Sequence, residues 1–115
     1  MGIKEKINDN VAVLVVGGKM MGGPETDELR EKVYSLASDD ITRVVIDLSK
    51  LKWLNSSGLG ALMACHTTLV NKGGSLKLAH ATDRVKSLLM ITQLIKIFDN
   101  YETVDRALAS FKSSK

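Results

Sequence analysis

The chain has 115 residues, 44% of them hydrophobic and 25% charged, with a formal net charge of +3. That length suits one domain with one core, burying roughly 65% of the unfolded surface, and leaves no room for two ordinary domains. The sixteen Lys and Arg are dispersed, with no basic run and no interleaved aromatics, which argues against a nucleic-acid-binding surface.

Taken in chain order, Ile3 to Ile7 alternates apolar and polar residues, as a half-buried strand does. Asn8-Asp9-Asn10 suits a tight turn into Val11 to Val16, a dense aliphatic run that reads as a strand buried on both faces. Gly22-Gly23-Pro24 breaks the chain and opens a helix. Proline is tolerated in its first turn, and Glu25, Asp27 and Glu28 oppose the dipole. Leu29, Val33, Leu36 and Ala37 form its apolar stripe, and Ser38-Asp39-Asp40 marks its end.

Thr42 to Leu48 predicts a second buried strand, with Asp47 near its carboxyl end. Ser49 to Leu54 reads as a short connection. A long amphipathic helix follows from about Ser56 to Asn71, with Leu59, Leu62, Met63, His66, Leu69 and Val70 on one face. Lys72-Gly73-Gly74 places glycine where a left-handed cap is needed. Ser75 to Ala79 predicts a third short strand. Thr82 caps a helix through Val85, Leu88 and Leu89, and Leu94, Ile95, Ile97 and Phe98 lead to a short last strand. Thr103 caps a final helix with Val104, Leu108 and Phe111 inward. Alternating strands and helices predict an α/β domain with a mixed sheet of four to five strands against about four helices.

One cysteine, Cys65, cannot form an intramolecular disulfide and suits a reducing compartment. The polar start MGIKEKINDN lacks the apolar core of a signal peptide. Lys6 stands where a myristoylation signal at Gly2 needs Ser or Thr. No apolar run approaches the roughly 20 residues of a membrane span. The expectation is a cytoplasmic protein. Its single domain spans 1–115, with a core over about 3–111 and a frayed end at 112–115.

The segment with chemical content runs from Val44 to Leu62: a buried strand, a short connection, then Asn55-Ser56-Ser57-Gly58-Leu59-Gly60 at a helix start. Asn55 is an N-cap candidate. Ser56 and Ser57 fall in the first turn, where unpaired N–H groups and the helix dipole favour an anion. A phosphate on Ser56 suits that position. Gly58 and Gly60 cost about 1 kcal/mol each in a helix and serve either close approach by another protein or internal packing. Read without any relative, the same residues also suit a plain cap with packing glycines.

This stretch resembles the signature of STAS-domain anti-sigma factor antagonists: a strand ending in Asp-Leu-Ser, a loop, then Asp-Ser-Ser-Gly-Leu-Gly and an apolar helix. The likeness covers roughly Val11 to Phe111, including the Gly/Pro helix opening and Thr103-Val104-Asp105 with Ala107-Leu108. In that family the first serine of the pair is phosphorylated by a partner anti-sigma factor that is also a serine kinase. The resemblance therefore implies Ser56 as phosphoacceptor and Ser57 as the neighbour that orients the loop. It implies partner switching: the unphosphorylated chain holds the anti-sigma factor and frees a sigma factor, and a serine phosphatase restores it after modification. The family usually has Asp before the serines, whereas this chain has Asn55. The expected partner surface is Asn55, Ser56, Ser57, Gly58, Leu59 and Gly60, with the Lys50-Leu51-Lys52-Trp53 loop and the Lys19-Met20-Met21-Gly22-Gly23 loop, and with Asp47 in support.

Other residues are weighed against packing roles. Met20 and Met21 suit either adaptable contacts or core packing, and Trp53 either a partner anchor or a cover on the sheet edge. Cys65 and His66 are adjacent on a helix and point apart, so neither a catalytic pair nor a metal site is expected. His80 closes a strand alone. No catalytic residue, no metal and no cofactor are assigned, and the expected state is a monomer or weak dimer. The alternative reading is a STAS module in a stressosome-like scaffold or a lipid-transport accessory subunit. A small enzyme is the third reading.

Overall fold

The computed structural model describes residues 3–113. Strands β1 (Ile3–Asn8) and β2 (Val11–Val16) form an antiparallel hairpin with Ile3 opposite Val16 and Asn8 opposite Val11. Asp9 and Asn10 turn it with φ of 52° and 67°. Two left-handed residues are what a two-residue hairpin turn of the favoured hand requires, and Asp and Asn tolerate that region. The chain continues through β3 (Gly18–Met20), α1 (Pro24–Ser38), β4 (Arg43–Asp47), β5 (Leu51–Leu54), α2 (Ser56–Asn71) and β6 (Ser75–Ala79). It ends with α3 (Asp83–Ile91), a turn of 3-10 helix at Leu94–Lys96, β7 (Asp99–Tyr101) and α4 (Val104–Ser113).

The main sheet has five strands in the order β1-β2-β4-β6-β7, with β1 antiparallel and the rest parallel. Helices α1, α2 and α3 close one face over Leu14, Val16, Val44, Ile46, Leu76 and Leu78. Helix α4 alone closes the other, setting Ala107 and Phe111 on Val11, Val13, Val45 and Ala79. Lys77 lies under α4, its Nζ donating to Ser110 Oγ at 2.7 Å and sitting 4.1 Å from the Phe111 ring centroid. A cation buried this deeply needs such partners. On the other side Lys32 of α1 meets Glu5 of β1 at 2.8 Å, and the pairing raises the Lys32 pKa.

The expected α/β domain, with a mixed five-stranded sheet and four helices, is what the chain forms. Two local expectations are corrected. Residues 49–54 are not merely a connection: β5 pairs in parallel with β3 in a separate two-stranded sheet. Val70 is exposed, because the buried face of α2 runs through Gly58, Ala61, Leu62, Cys65 and Leu69, and position 70 lies about 100° round from 69. Ile95 and Ile97 are exposed as well, and only Phe98 is buried before β7. Helix α4 carries residues 112 and 113. Gly2, Ser114 and Lys115 lie outside the described residues.

Candidate functional site

Each of the strands β2 and β4 runs out at its carboxyl end into a short second strand, β3 and β5, before its helix. The register pairs Gly18 with Leu51, Lys19 with Trp53 and Met20 with Leu54. Asn55 N–H then donates to the Met20 carbonyl at 3.2 Å, so the ladder continues to the start of α2. Asn55 is the N-cap: its Oδ1 accepts Gly58 N–H at 3.0 Å. Its Nδ2 donates across to the Met21 carbonyl at 3.4 Å. A carboxylate can perform the first task and not the second, since it has no donor. The amide at 55 thus ties the cap of α2 to the loop before α1.

That loop is held from below. Gly22 N–H donates to Thr26 Oγ1 at 3.0 Å, and Thr26 is buried. Gly22 takes φ of +90°, and a Cβ there would stand 3.0 Å from the Ser57 Cβ. Gly58 lies beneath the same loop. A Cβ on it would overlap the Met20 carbonyl oxygen and approach Leu54 Cδ1 to 2.7 Å. Gly58 is therefore an internal close-packing glycine. Gly60 has open space where its Cβ would be.

Ser56 and Ser57 are the first two helical residues and both are exposed. The first N–H groups of a helix have no intrahelical acceptor, and here Gly58 N–H is already taken by Asn55. Among the described residues none accepts a hydrogen bond from the Ser56 or Ser57 N–H, at the positive end of the helix. Met20 is 0% exposed and Leu59 is 2% exposed, so both fill the core. Their side chains pack inward, the core-packing role weighed for Met20. Met21, at 48%, and Trp53, at 46%, are exposed beside the serines. Asp47 Oδ1 accepts Ser49 N–H at 2.9 Å and holds the turn from β4 into β5.

Sequence reasoning missed two contributors, Thr26 and Arg84, and the pairing that sets the expected Lys19 beside Trp53. Thr26 follows a glycine-proline opening as an ordinary helical residue, and nothing local marks it as an acceptor for Gly22. Lys19 becomes the neighbour of Trp53 only through the parallel pairing of β3 with β5. Arg84 of α3 lies over the Trp53 ring, Cζ 4.2 Å from its centroid. The spacing is that of a cation–π contact, which at an exposed site contributes about 0.5–1 kcal/mol.

Cys65 and His66 do point apart. Cys65 is buried, and desolvation pushes its thiol pKa up to about 11. His66 Nδ1 accepts Leu76 N–H at 3.2 Å, its ring edge-on to Phe98. Burial lowers the His66 pKa, against a smaller opposing effect of Asp99. Neither group is poised for chemistry, since a thiolate or a free imidazole would be needed. Among the described residues no helix is long and apolar enough to cross a membrane.

Comparison with known proteins extends these observations to the whole domain. Solved structures with the same arrangement include an anti-sigma factor antagonist from Mycobacterium paratuberculosis, 27% identical, covering 96% of this chain and 93% of that one at a TM-score of 0.83. The Bacillus cell fate determinant SpoIIAA in its phosphorylated form is 14% identical, covering 95% of this chain and 98% of that one, with a TM-score of 0.75. A sulfate transporter family protein from Wolinella succinogenes is 17% identical over 93% of this chain and 88% of that one, with a TM-score of 0.72. The family model described as the STAS domain matches residues 3–107, and the chain belongs to that family.

Proposed function

We propose that this chain is an anti-sigma factor antagonist that works by binding and is switched by phosphorylation of Ser56. The observation that carries the reading is the placement of Ser56: an exposed hydroxyl at the first position of a capped helix, beside unpaired N–H groups and an exposed Trp53. The likeness to anti-sigma factor antagonists supports the same role. In this reading the unphosphorylated chain docks an anti-sigma factor through Asn55, Ser56, Ser57, Gly60, Met21 and Trp53. Gly58 and Leu59 shape that surface from inside, and Asp47 supports the turn below it. The docked partner releases its sigma factor. It is also the serine kinase, and it supplies the nucleotide and the catalytic groups.

The physics of the switch is local. A phosphoserine carries about −1.5 to −2 charges at neutral pH. At the start of α2 the fold tolerates that charge, because the helix dipole and the Ser56 and Ser57 N–H groups favour an anion. At a packed protein interface the same group must be desolvated or meet like charge. A penalty of about 3 kcal/mol weakens binding more than a hundredfold, with no change of fold. A serine phosphatase restores the binding form. The chain acts in the cytoplasm as a monomer or weak dimer.

Intact-mass and peptide mass spectrometry after incubation with ATP and host lysate tests the reading. The wild type gains one phosphate, Ser57→Ala keeps it and Ser56→Ala loses it. Phosphate elsewhere, or none where a control STAS protein is modified, overturns it. The second reading is a scaffold or transporter-accessory module, favoured by the occurrence of this fold in a sulfate transporter family protein. A very large particle in gel filtration would select it.

A further inference from the structure

The Ser56 corner does not end at Trp53. Lys19 lies beside Trp53 in the β3–β5 register, and Arg84 lies over its ring. From Arg84 the exposed side of α3 leads on to Ile91, seven residues later and nearly in line on the helix, roughly 10 Å along its axis. Ile91 is 79% exposed and Met90 beside it 64%, the two most exposed large hydrophobic residues among those described. The inward side of α3 is satisfied by Val85 and Leu89, so these two have no packing role in the domain.

The surface thus has a cationic end and an apolar end. Among the described residues the ion pairs are Lys32 with Glu5 and Lys112 with Asp9, so neither Lys19 nor Arg84 is engaged by a carboxylate. Trp and Arg dominate interface hot spots, and here one of each is stacked on the other at the surface. Met90 lies about 100° round the helix from Ile91, so the two widen the apolar end of α3 across its exposed side.

We propose that Lys19, Trp53, Arg84 and Ile91 form a docking strip that extends the Ser56 corner along α3, with Met90 on its flank. Its occupant is the kinase partner, which presents carboxylates to Lys19 and Arg84 and an apolar patch to Met90 and Ile91. This rests on the reading of Ser56 as the partner's substrate. The strip supplies affinity, and the α2 start supplies the reacting hydroxyl. A charge on Ser56 and the strip therefore act on one bound partner through separate contacts.

The test uses the purified anti-sigma factor kinases of the source organism, with ATP and the full chain as substrate. Phosphate that is lost in Ser56→Ala identifies the probe kinase. Arg84→Glu then raises KM about tenfold or more with kcat unchanged, and Arg84→Lys stays near wild type. Ile91→Ser raises KM several-fold in the same way. Raising the ionic strength raises KM for wild type and has little effect on Arg84→Glu. All three sites are exposed, and circular dichroism verifies that each variant is folded. Variants within twofold of wild type, with Ser56 still the acceptor, overturn the strip and leave the Ser56 reading standing. A strip that closes a dimer of this chain, dissociated by Ile91→Ser with KM unchanged, also overturns it. No kinase that binds or modifies Ser56 overturns both.

Discussion

Alanine at Gly58 and at Gly60 should act in opposite directions, although both positions lie in the first turns of α2. Alanine favours the helix over glycine by about 1 kcal/mol at either position. At Gly60 the new methyl meets nothing within 4 Å. The gain stands there, and Gly60→Ala stabilises the chain by about 0.5–1 kcal/mol. At Gly58 the methyl would overlap the Met20 carbonyl oxygen and press on Leu54. That carbonyl also accepts Asn55 N–H, so it cannot swing aside without opening the junction of β3 and α2. Overpacking costs about 1–3 kcal/mol and a broken hydrogen bond about 1 kcal/mol more, so Gly58→Ala is destabilised by about 1–3 kcal/mol net. For a domain of this size that lowers Tm by roughly 4–12 °C. Urea and thermal unfolding followed by circular dichroism measures both variants against wild type. Equal stability of the two variants would refute the assignment of Gly58 to internal packing. Gly60→Ala also adds a methyl to the proposed contact surface, so it should weaken partner binding while raising stability.

Asn55→Asp keeps the Gly58 N–H acceptor and loses the donor to the Met21 carbonyl. Stability should change by less than about 1 kcal/mol, because the stronger helix-dipole interaction offsets a long hydrogen bond. Amide exchange in residues 20–23 should quicken, and exchange unchanged there would show that the tie to the loop is idle. His66 is neutral and an acceptor in the fold, with its pKa below the ordinary 6.5. The unfolded chain binds the proton more readily, so the stability due to His66 is complete above pH 6.5 and is lost as pH falls through the lower folded value. His66→Gln retains an acceptor for Leu76 N–H and should flatten that decline. An unaltered pH profile of urea midpoints would refute it. Cys65, with a thiol pKa of about 11, should react with a thiol reagent only as fast as the core opens. Labelling as rapid in native protein as in urea would show an accessible thiolate instead.

Much of this fold is local in origin and was legible in the amino-acid pattern. The β1–β2 hairpin needs left-handed residues at its turn, and Asp9-Asn10 supplies them. Helix α2 is bounded by Asn55 and by Gly73, whose φ of +87° ends it. Thr82 and Thr103 accept Val85 and Arg106 N–H as caps should. The buried strands declare themselves by β-branched runs at Val11–Val16 and in Arg43–Asp47. Cap chemistry and burial act within a few residues, so the chain alone determines them. The Ser56 position, an exposed hydroxyl at a capped helix start, was readable for the same reason.

What the chain could not disclose lies across distances in sequence. β3 and β5 have three and four residues with no burial period of their own, and they exist because each pairs with the other more than thirty residues away. β7 is Asp-Asn-Tyr, a strand only because β6 offers it an edge. The inward use of Gly58, the burial of Met20, the reach of Asn55 to Met21 and the stacking of Arg84 on Trp53 all follow from that assembly. Each is a contact between segments whose meeting depends on the closed sheet. The sequence alone therefore determined where Ser56 sits on its helix, and only the tertiary structure decided what surrounds it.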